Sequence, residues 1–444
     1  MSVDAVLRGE ARFAIAHEDA LAFARSLPDE SVDALVTDPP AGIAFMGKAW
    51  DGDKGGRNAW VAWLAEILRE CHRALKPGGH ALVWALPRTS HWTATAVEDA
   101  GFEVRDVVVH LFGTGFPKSL DVSKALDRSA GIWRGRAGAV TIADQPSKGT
   151  EYARTEKGGP VTAAAAAAAG FGTALKPASE HWILARKPLT GTVARTFVEH
   201  GTGALNIDAC RIAGPPSKGG DGGASLGYGS SANTDRRIDR SCVAGRWPAN
   251  VVLSHEPECR EECVEHCAVA ALDAQSGTLT SGSSDGFVGE KFSSVAMGVK
   301  RSEIRPEVVY ADSGGASRFF FCAKPSTAER ELGLGHRKRG KARSALNAKN
   351  GTGERLDGAV TADRANVHPT VKSIALMRWL CRLVTPPGGV VLDVFTGSGT
   401  TAVACSQEGL RFIGCEREAE YAAIARDRLV GDAPLLNASA GVTR

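Results

Sequence analysis

Val390-Val-Leu-Asp393-Val-Phe395-Thr-Gly397-Ser-Gly399-Thr400 carries the strongest fold signal in the chain. A short apolar run ends in an acid, a Gly-Ser-Gly turn follows, and a helical segment from Thr400 to Glu408 begins at once. Gly397 and Gly399 allow backbone angles and a close ligand approach that a side chain would block. The next strand, Arg411-Phe-Ile-Gly414, reaches Glu416, where a carboxylate can accept hydrogen bonds from ribose hydroxyls, as in dinucleotide folds. Any α/β protein can contain such a turn. The acid on the following strand is what makes it a candidate nucleotide-type site.

The same alternation of strands and helices occupies residues about 12 to 115. Val32-Asp-Ala-Leu-Val36 is a short apolar run ending at Thr37-Asp38, which fits a buried parallel strand. Trp60 to Leu75 has apolar residues at helical spacing, and Lys76-Pro-Gly-Gly79 ends that helix. His80 to Trp84 reads as a strand, Thr89 to Ala100 as a helix closed by Gly101, and Val104 to Leu111 as a strand. The rhythm predicts a doubly wound parallel sheet. It returns after His368, with a helix over Ser373 to Val384 and a last helix over Ala419 to Leu429.

Between these halves the pattern weakens. The run Ala163 to Ala169 is either a helix or a low-complexity linker. His181-Trp-Ile-Leu-Ala-Arg186 reads as a strand at the edge of the core. Residues about 190 to 350, rich in Gly, Ser and charge, predict a loop-rich inserted domain that lies outside the sheet. Within it, His255-x3-Cys259-x3-Cys263-x3-Cys267 offers four ligands suited to tetrahedral zinc. A spacing of four also places them on one helix face, where they cannot all surround one ion unless a turn breaks the helix; the alternative is a row of reduced thiols. The densest basic stretch, with Arg337, Lys338, Arg339, Lys341 and Arg343, is either a phosphate-tracking surface or a solvated face.

No apolar run in the 444 residues approaches the ~18 to 20 needed to span a bilayer, and the N-terminus lacks the apolar core of a signal peptide, so a cytoplasmic location is expected. Ten cysteines in a chain this long do not suggest a disulfide scaffold. A net charge of +3 neither supports nor excludes DNA, because basic residues can gather on one face.

Asp38-Pro39-Pro40 near the start and the glycine loop near the end together resemble the permuted, beta-type class of adenine-N6 and cytosine-N4 DNA methyltransferases. Gly113-Thr-Gly-Phe-Pro-Lys118-Ser, Gly172-Thr-Ala-Leu-Lys176-Pro, Arg246-Trp-Pro-Ala-Asn250 and Arg318-Phe-Phe-Phe-Cys322-Ala-Lys324 are similar to segments of phage- and prophage-type members. The resemblance implies a Rossmann-like α/β sheet that binds S-adenosylmethionine, with permuted motif order. It implies a catalytic half over 1–115, an inserted loop region over 116–169 and a core edge segment over 170–189. A target-recognition insert with the candidate zinc site would cover 190–350, and the cofactor half 351–444.

It further implies roles for particular residues. Asp38, Pro39 and Pro40 would be catalytic. Asp19, Asp38, Thr370, Lys372, Asp393, Phe395, Gly397, Gly399, Thr400 and Glu416 would contact the cofactor, with a helix cap as the alternative for Asp19 and a helix-start turn fixed by Pro369 as the alternative for Thr370 and Lys372. Ala41 departs from the usual Tyr, Phe or Trp that stacks on the extruded base, although some phage and prophage members resemble this sequence with the same Asp-Pro-Pro-Ala; Phe45 and Trp50 are the candidates to take over the stacking. Expected partners are double-stranded DNA, a second copy of the chain and a cognate restriction endonuclease. Asp before Pro-Pro leans toward adenine N6, with cytosine N4, an RNA or protein substrate, and a non-catalytic DNA- or SAM-binding module as the alternatives.

Overall fold

Every residue of Val32–Thr37 is buried, the pattern of a parallel strand covered on both faces. In this computed structural model that strand lies inside a nine-stranded sheet. The structure describes residues 2–44, 49–113, 115, 119–132, 159–214, 245–280, 283–284, 308–309, 312–337, 340–341 and 363–432. The sheet's strands are β1 (Phe13–His17), β2 (Val32–Thr37), β3 (Leu75–Ala85), β4 (Glu103–Leu111), β5 (Ser179–Arg186), β6 (Val251–Ser254), β7 (Phe321–Ala323), β8 (Val390–Asp393) and β9 (Arg411–Glu416). Their spatial order is β1-β9-β8-β2-β3-β5-β4-β6-β7. All neighbours run parallel except β5, which is antiparallel to β3 and β4. The order and the helices on both faces make this a Rossmann-like, doubly wound α/β fold.

The helices in chain order are α1 (Val3–Leu7), α2 (Ala20–Ser26), α3 (Arg57–Ala74), α4 (Ser90–Asp99), α5 (Val122–Ser129), α6 (Ala163–Ala167), α7 (Val193–His200), α8 (Ala268–Ser276), α9 (Thr327–Arg330), α10 (Ile374–Val384), α11 (Thr400–Gln407) and α12 (Ala419–Asp432). Helices α1 to α4 cover one face of the sheet through Val6, Phe23, Leu64, Leu68 and Val97. Helices α10 and α11 cover the other through Leu376, Leu380, Ala402 and Cys405. Met1–Gly113 and Ser179–Arg444 form one compact unit, and Thr114–Ala178 a second. In the second unit the alanine run forms α6, and the fully buried Asp127 of α5 accepts hydrogen bonds from the backbone of Val161 and Thr162 and from the Thr162 hydroxyl.

Three sequence expectations need correction. Lys76-Pro-Gly-Gly79 follows the helix but lies inside β3, whose pairing with β2 shifts register between Val32↔Leu75 and Ala34↔His80. A Cβ on Gly79 would sit 2.9 Å from the Asp33 carbonyl, so only glycine fits against β2 there. Strand β5 is interior, not at the edge: β4 pairs on its far side, and Trp182 and Ala185 are fully buried. The region expected to lie outside the sheet supplies two of its strands, β6 and β7. With four and three residues, both are too short to register as periodic segments.

Candidate active site

From β8 the chain passes through α11 to β9 on one side; from β2 it passes through α3 to β3 on the other. Between β2 and β8 the direction of winding reverses, and ligands of open α/β sheets bind at such a crevice, outside the carboxyl ends of the strands. Asp38 follows β2 and Asp393 ends β8, so both stand at that point. Thr37 Oγ1 donates to Asp393 Oδ1 at 2.8 Å and joins the two strand ends directly.

The glycine loop is built around Asp393. Its other oxygen accepts from Thr401 Oγ1 at 2.7 Å, and Oδ1 also accepts from the Phe395 backbone at 3.1 Å. Burial pushes its carboxyl up to about 6, although these three donors work against that rise. Gly397 and Gly399 have φ of +54° and +80°, and a Cβ on Gly399 would lie 2.7 Å from Ala425 Cβ. Glu416, at the end of β9, accepts from the Gly397 backbone and from Glu418 N, each at 2.8 Å. Burial raises its pKa despite those donors. The Thr400 hydroxyl is held by Arg428, a fully buried guanidinium that also donates to the Ser398 carbonyl at 2.7 Å. Phe395 rests on Trp63, ring centroids 5.9 Å apart.

Across the crevice, Lys372 Nζ lies 3.0 Å from Asp38 Oδ2, 3.7 Å from Glu180 Oε1 and 4.1 Å from the centroid of the Trp84 ring. Glu180 leads on to His110 Nδ1 at 3.5 Å, and His110 Nε2 to the Ser254 hydroxyl at 2.7 Å. Burial opposes the charge on Lys372, but the carboxylates of Asp38 and Glu180 outweigh it and its pKa is raised. Burial also opposes the charge on Glu180, yet Lys372 and His110 hold its carboxyl at about 2. For Asp38 burial wins over Lys372, and its pKa is raised. Its side chain keeps 24% of its exposure against 11% for Lys372, so the acid is the member a ligand can reach.

The segment after Pro40 folds back on itself. Asp51, nearly fully buried, accepts from the Gly42 backbone at 3.2 Å, and its carbonyl accepts from Ala44 N at 2.6 Å. Trp50 is half-buried in this turn, and Ala41 packs against the core. Phe45 lies outside the described residues. Asp19 caps α2, accepting from Leu21 N and Ala22 N, while β1 beside it pairs His17 with Glu416. Thr370 is exposed next to His368. Arg337 Nε donates to Asp427 Oδ2 at 2.5 Å, which balances its charge on α12. Lys338, Arg339 and Arg343 and the Lys341 side chain lie outside the described residues.

Sequence reasoning missed Glu180, His110 and Arg428. Each left a faint signal: an acid opening the apolar strand β5, a histidine inside the apolar run of β4, and an arginine on the buried face of α12 beside Ala425 and Leu429.

Away from the crevice, His255, Cys259, Cys263 and Cys267 bring one ligand atom each to within 4.8 Å of one another. No helix among the described residues is long and apolar enough to cross a membrane.

A family model described as a DNA methylase matches residues 32–118 and 331–427, which hold β2 to β4 and β8 to β9. The Type II methyltransferase M2.DpnII of Streptococcus pneumoniae is 46% identical over 65 residues, 15% of this chain and 24% of its own length. The DNA adenine methyltransferase YhdJ of Escherichia coli is 43% identical over 67 residues, 15% of this chain and 22% of its own length. The chain thus spans about a quarter of the length of the curated relatives it matches. Among solved structures it is similar to the PvuII DNA methyltransferase (cytosine-N4-specific), with 11% identity over 97% of this chain and 92% of that one and a TM-score of 0.42.

Proposed function

We propose that this chain is a DNA amino-methyltransferase of the permuted, beta-type class, transferring a methyl group from S-adenosylmethionine to N6 of an adenine flipped out of double-stranded DNA. The observation that carries the reading is the Thr37–Asp393 hydrogen bond. It joins residues 356 positions apart and brings the Asp-Pro-Pro segment against the glycine loop. The match of the DNA methylase model to these two segments supports it.

The residues present suit the cofactor. The Gly-Ser-Gly turn runs at positive φ into the N-terminus of α11, whose backbone N–H groups can meet a carboxylate. Glu416 stands where ribose hydroxyls would be held. The bound cofactor would supply an electrophilic methyl group. An exocyclic amino nitrogen attacks it poorly because its lone pair is delocalised into the ring. Asp38 and the carbonyl of Pro39 would accept the two amino hydrogens, returning that lone pair to nitrogen, and the rest of the rate would come from alignment. Lys372, read from sequence as a cofactor contact, would position Asp38 from behind and Glu180 would hold Lys372. Trp50 would stack on the base that Ala41 cannot reach. The insert would read the target sequence, and Arg337 to Arg343 would track phosphates. A second copy of the chain and a cognate restriction endonuclease belong to the same proposal.

N4 of cytosine is the second reading, because the same pair of acceptors serves either amino group. Incubation with labelled S-adenosylmethionine and unmethylated genomic DNA, followed by digestion and nucleoside chromatography, separates the two. Label in N6-methyladenine supports the proposal; label in N4-methylcytosine keeps the site and changes the base. Label in 5-methylcytosine, or none in DNA, contradicts it.

A further inference from the structure

The knuckle between β6 and α8 contributes no group to the proposed reaction, yet it gathers the densest set of soft ligands among the described residues. The His-x3-Cys-x3-Cys-x3-Cys spacing would form a stripe on a helix. The structure breaks that stripe into turns closed by Cys259 N to the Glu256 carbonyl at 3.0 Å and Cys267 N to the Val264 carbonyl at 3.0 Å. Helix α8 starts only at Ala268, with Cys267 in extended conformation as its N-cap. The four side chains therefore surround a point instead of lying in a row. Cys263 Sγ and Cys267 Sγ are 3.3 and 3.5 Å from His255 Nδ1. Ligands of a tetrahedral zinc, at about 2.3 Å for sulfur and about 2.0–2.1 Å for nitrogen, stand roughly this far apart.

We propose that His255 Nδ1 and the thiolates of Cys259, Cys263 and Cys267 bind one zinc ion. Three thiolates and an imidazole complete a tetrahedron and leave no open position, so the ion is structural. The local packing shows what it would do. Among the described residues, the knuckle's own core has three fully packed members, Leu253, Cys267 and Val269, with seven partly buried neighbours including Val264 and Cys322. A core of that size does not hold a loop by itself, and a metal is the usual substitute. Zinc would pin the knuckle to the end of β6, where His255 N donates to the Ala323 carbonyl of β7 at 2.9 Å. Ser254, one residue earlier, is the hydroxyl that meets His110. The ion would thus fix the outer end of the chain of groups that leads to Asp38.

The test is metal analysis of the full-length chain purified without chelator, and its result does not depend on the reaction proposed above. About one zinc per chain is expected. Cys263→Ser, at an exposed position, should remove most of it. Cys322→Ser changes a half-buried thiol of the same small core that is not a ligand, and should retain it. After cobalt exchange, a thiolate charge-transfer band with tetrahedral d–d absorption should appear in the wild-type chain and vanish in Cys263→Ser. Substoichiometric zinc after zinc supply and dialysis would overturn the proposal. So would loss of zinc in Cys322→Ser equal to that in Cys263→Ser.

Discussion

Lys372 Nζ lies 3.0 Å from Asp38 Oδ2, and it is the only ammonium among the described residues within an ion-pair distance of that acid. Burial raises the Asp38 pKa, and Lys372 limits the rise. If the carboxylate is the active form, methyl transfer is lost as pH falls through that raised value. Lys372→Met keeps an apolar stem over Trp84 and removes the counter-charge, which leaves Asp38 facing Glu180. The acid limb of the kcat profile should then move to higher pH. Rates measured across pH for both chains check this; an unmoved limb would detach Lys372 from Asp38.

Gly399 has φ +80°, and a Cβ there would lie 2.7 Å from Ala425 Cβ. Gly399→Ala should lower the melting temperature and weaken cofactor binding, through backbone strain of roughly 1 kcal/mol or more plus the clash. Adding Ala425→Gly removes the clash but not the strain. The double variant should therefore recover part of both losses, read by thermal unfolding and by calorimetric titration with S-adenosylmethionine.

Asp393 carries its own pH signature. Its folded pKa, about 6, is above the ~3.9 of an unfolded aspartate. The native state holds the proton more tightly, so the stability this confers is complete below ~4 and is lost as pH rises through about 6. Asp393→Asn cannot titrate. The melting temperature of the variant relative to wild type should rise between pH 4.5 and pH 7; a constant difference would contradict the assignment.

If Trp50 stacks on the extruded base, Trp50→Ala should reduce kcat/KM by the ~1–3 kcal/mol typical of one base–aromatic contact, roughly 5- to 150-fold. Cofactor affinity should not change. The fluorescence of a 2-aminopurine at the target position reports the same step, and equal signals from both chains would leave the stacking role to another residue.

The strand ends at Asp38, Asp393 and Glu416 are legible in the sequence because each closes a short apolar run that a turn interrupts. Other features depend on contacts far apart in the chain. Nothing within Ser179–Arg186 says that it pairs on both sides, and β6 is too short to show a period. Glu180 becomes part of the candidate site only because β5 lies antiparallel to β3, with His181 opposite Ala85 at the carboxyl end of that strand. The Cys/His spacing is plain, but a period of four also fits a helix stripe, and only the turns after His255 decide between them.

The proposed reaction turns on Asp38, which would activate an amino group in DNA beside a separate cofactor loop. Its most direct test compares wild type with Asp38→Ala in two measurements on the same preparations: calorimetric binding of S-adenosylmethionine, and transfer of its labelled methyl group into N6-methyladenine of unmethylated DNA. Comparable binding by both chains is expected, with transfer by the variant reduced at least about a hundredfold. Transfer by the variant at the wild-type rate, or loss of binding together with transfer, would contradict it.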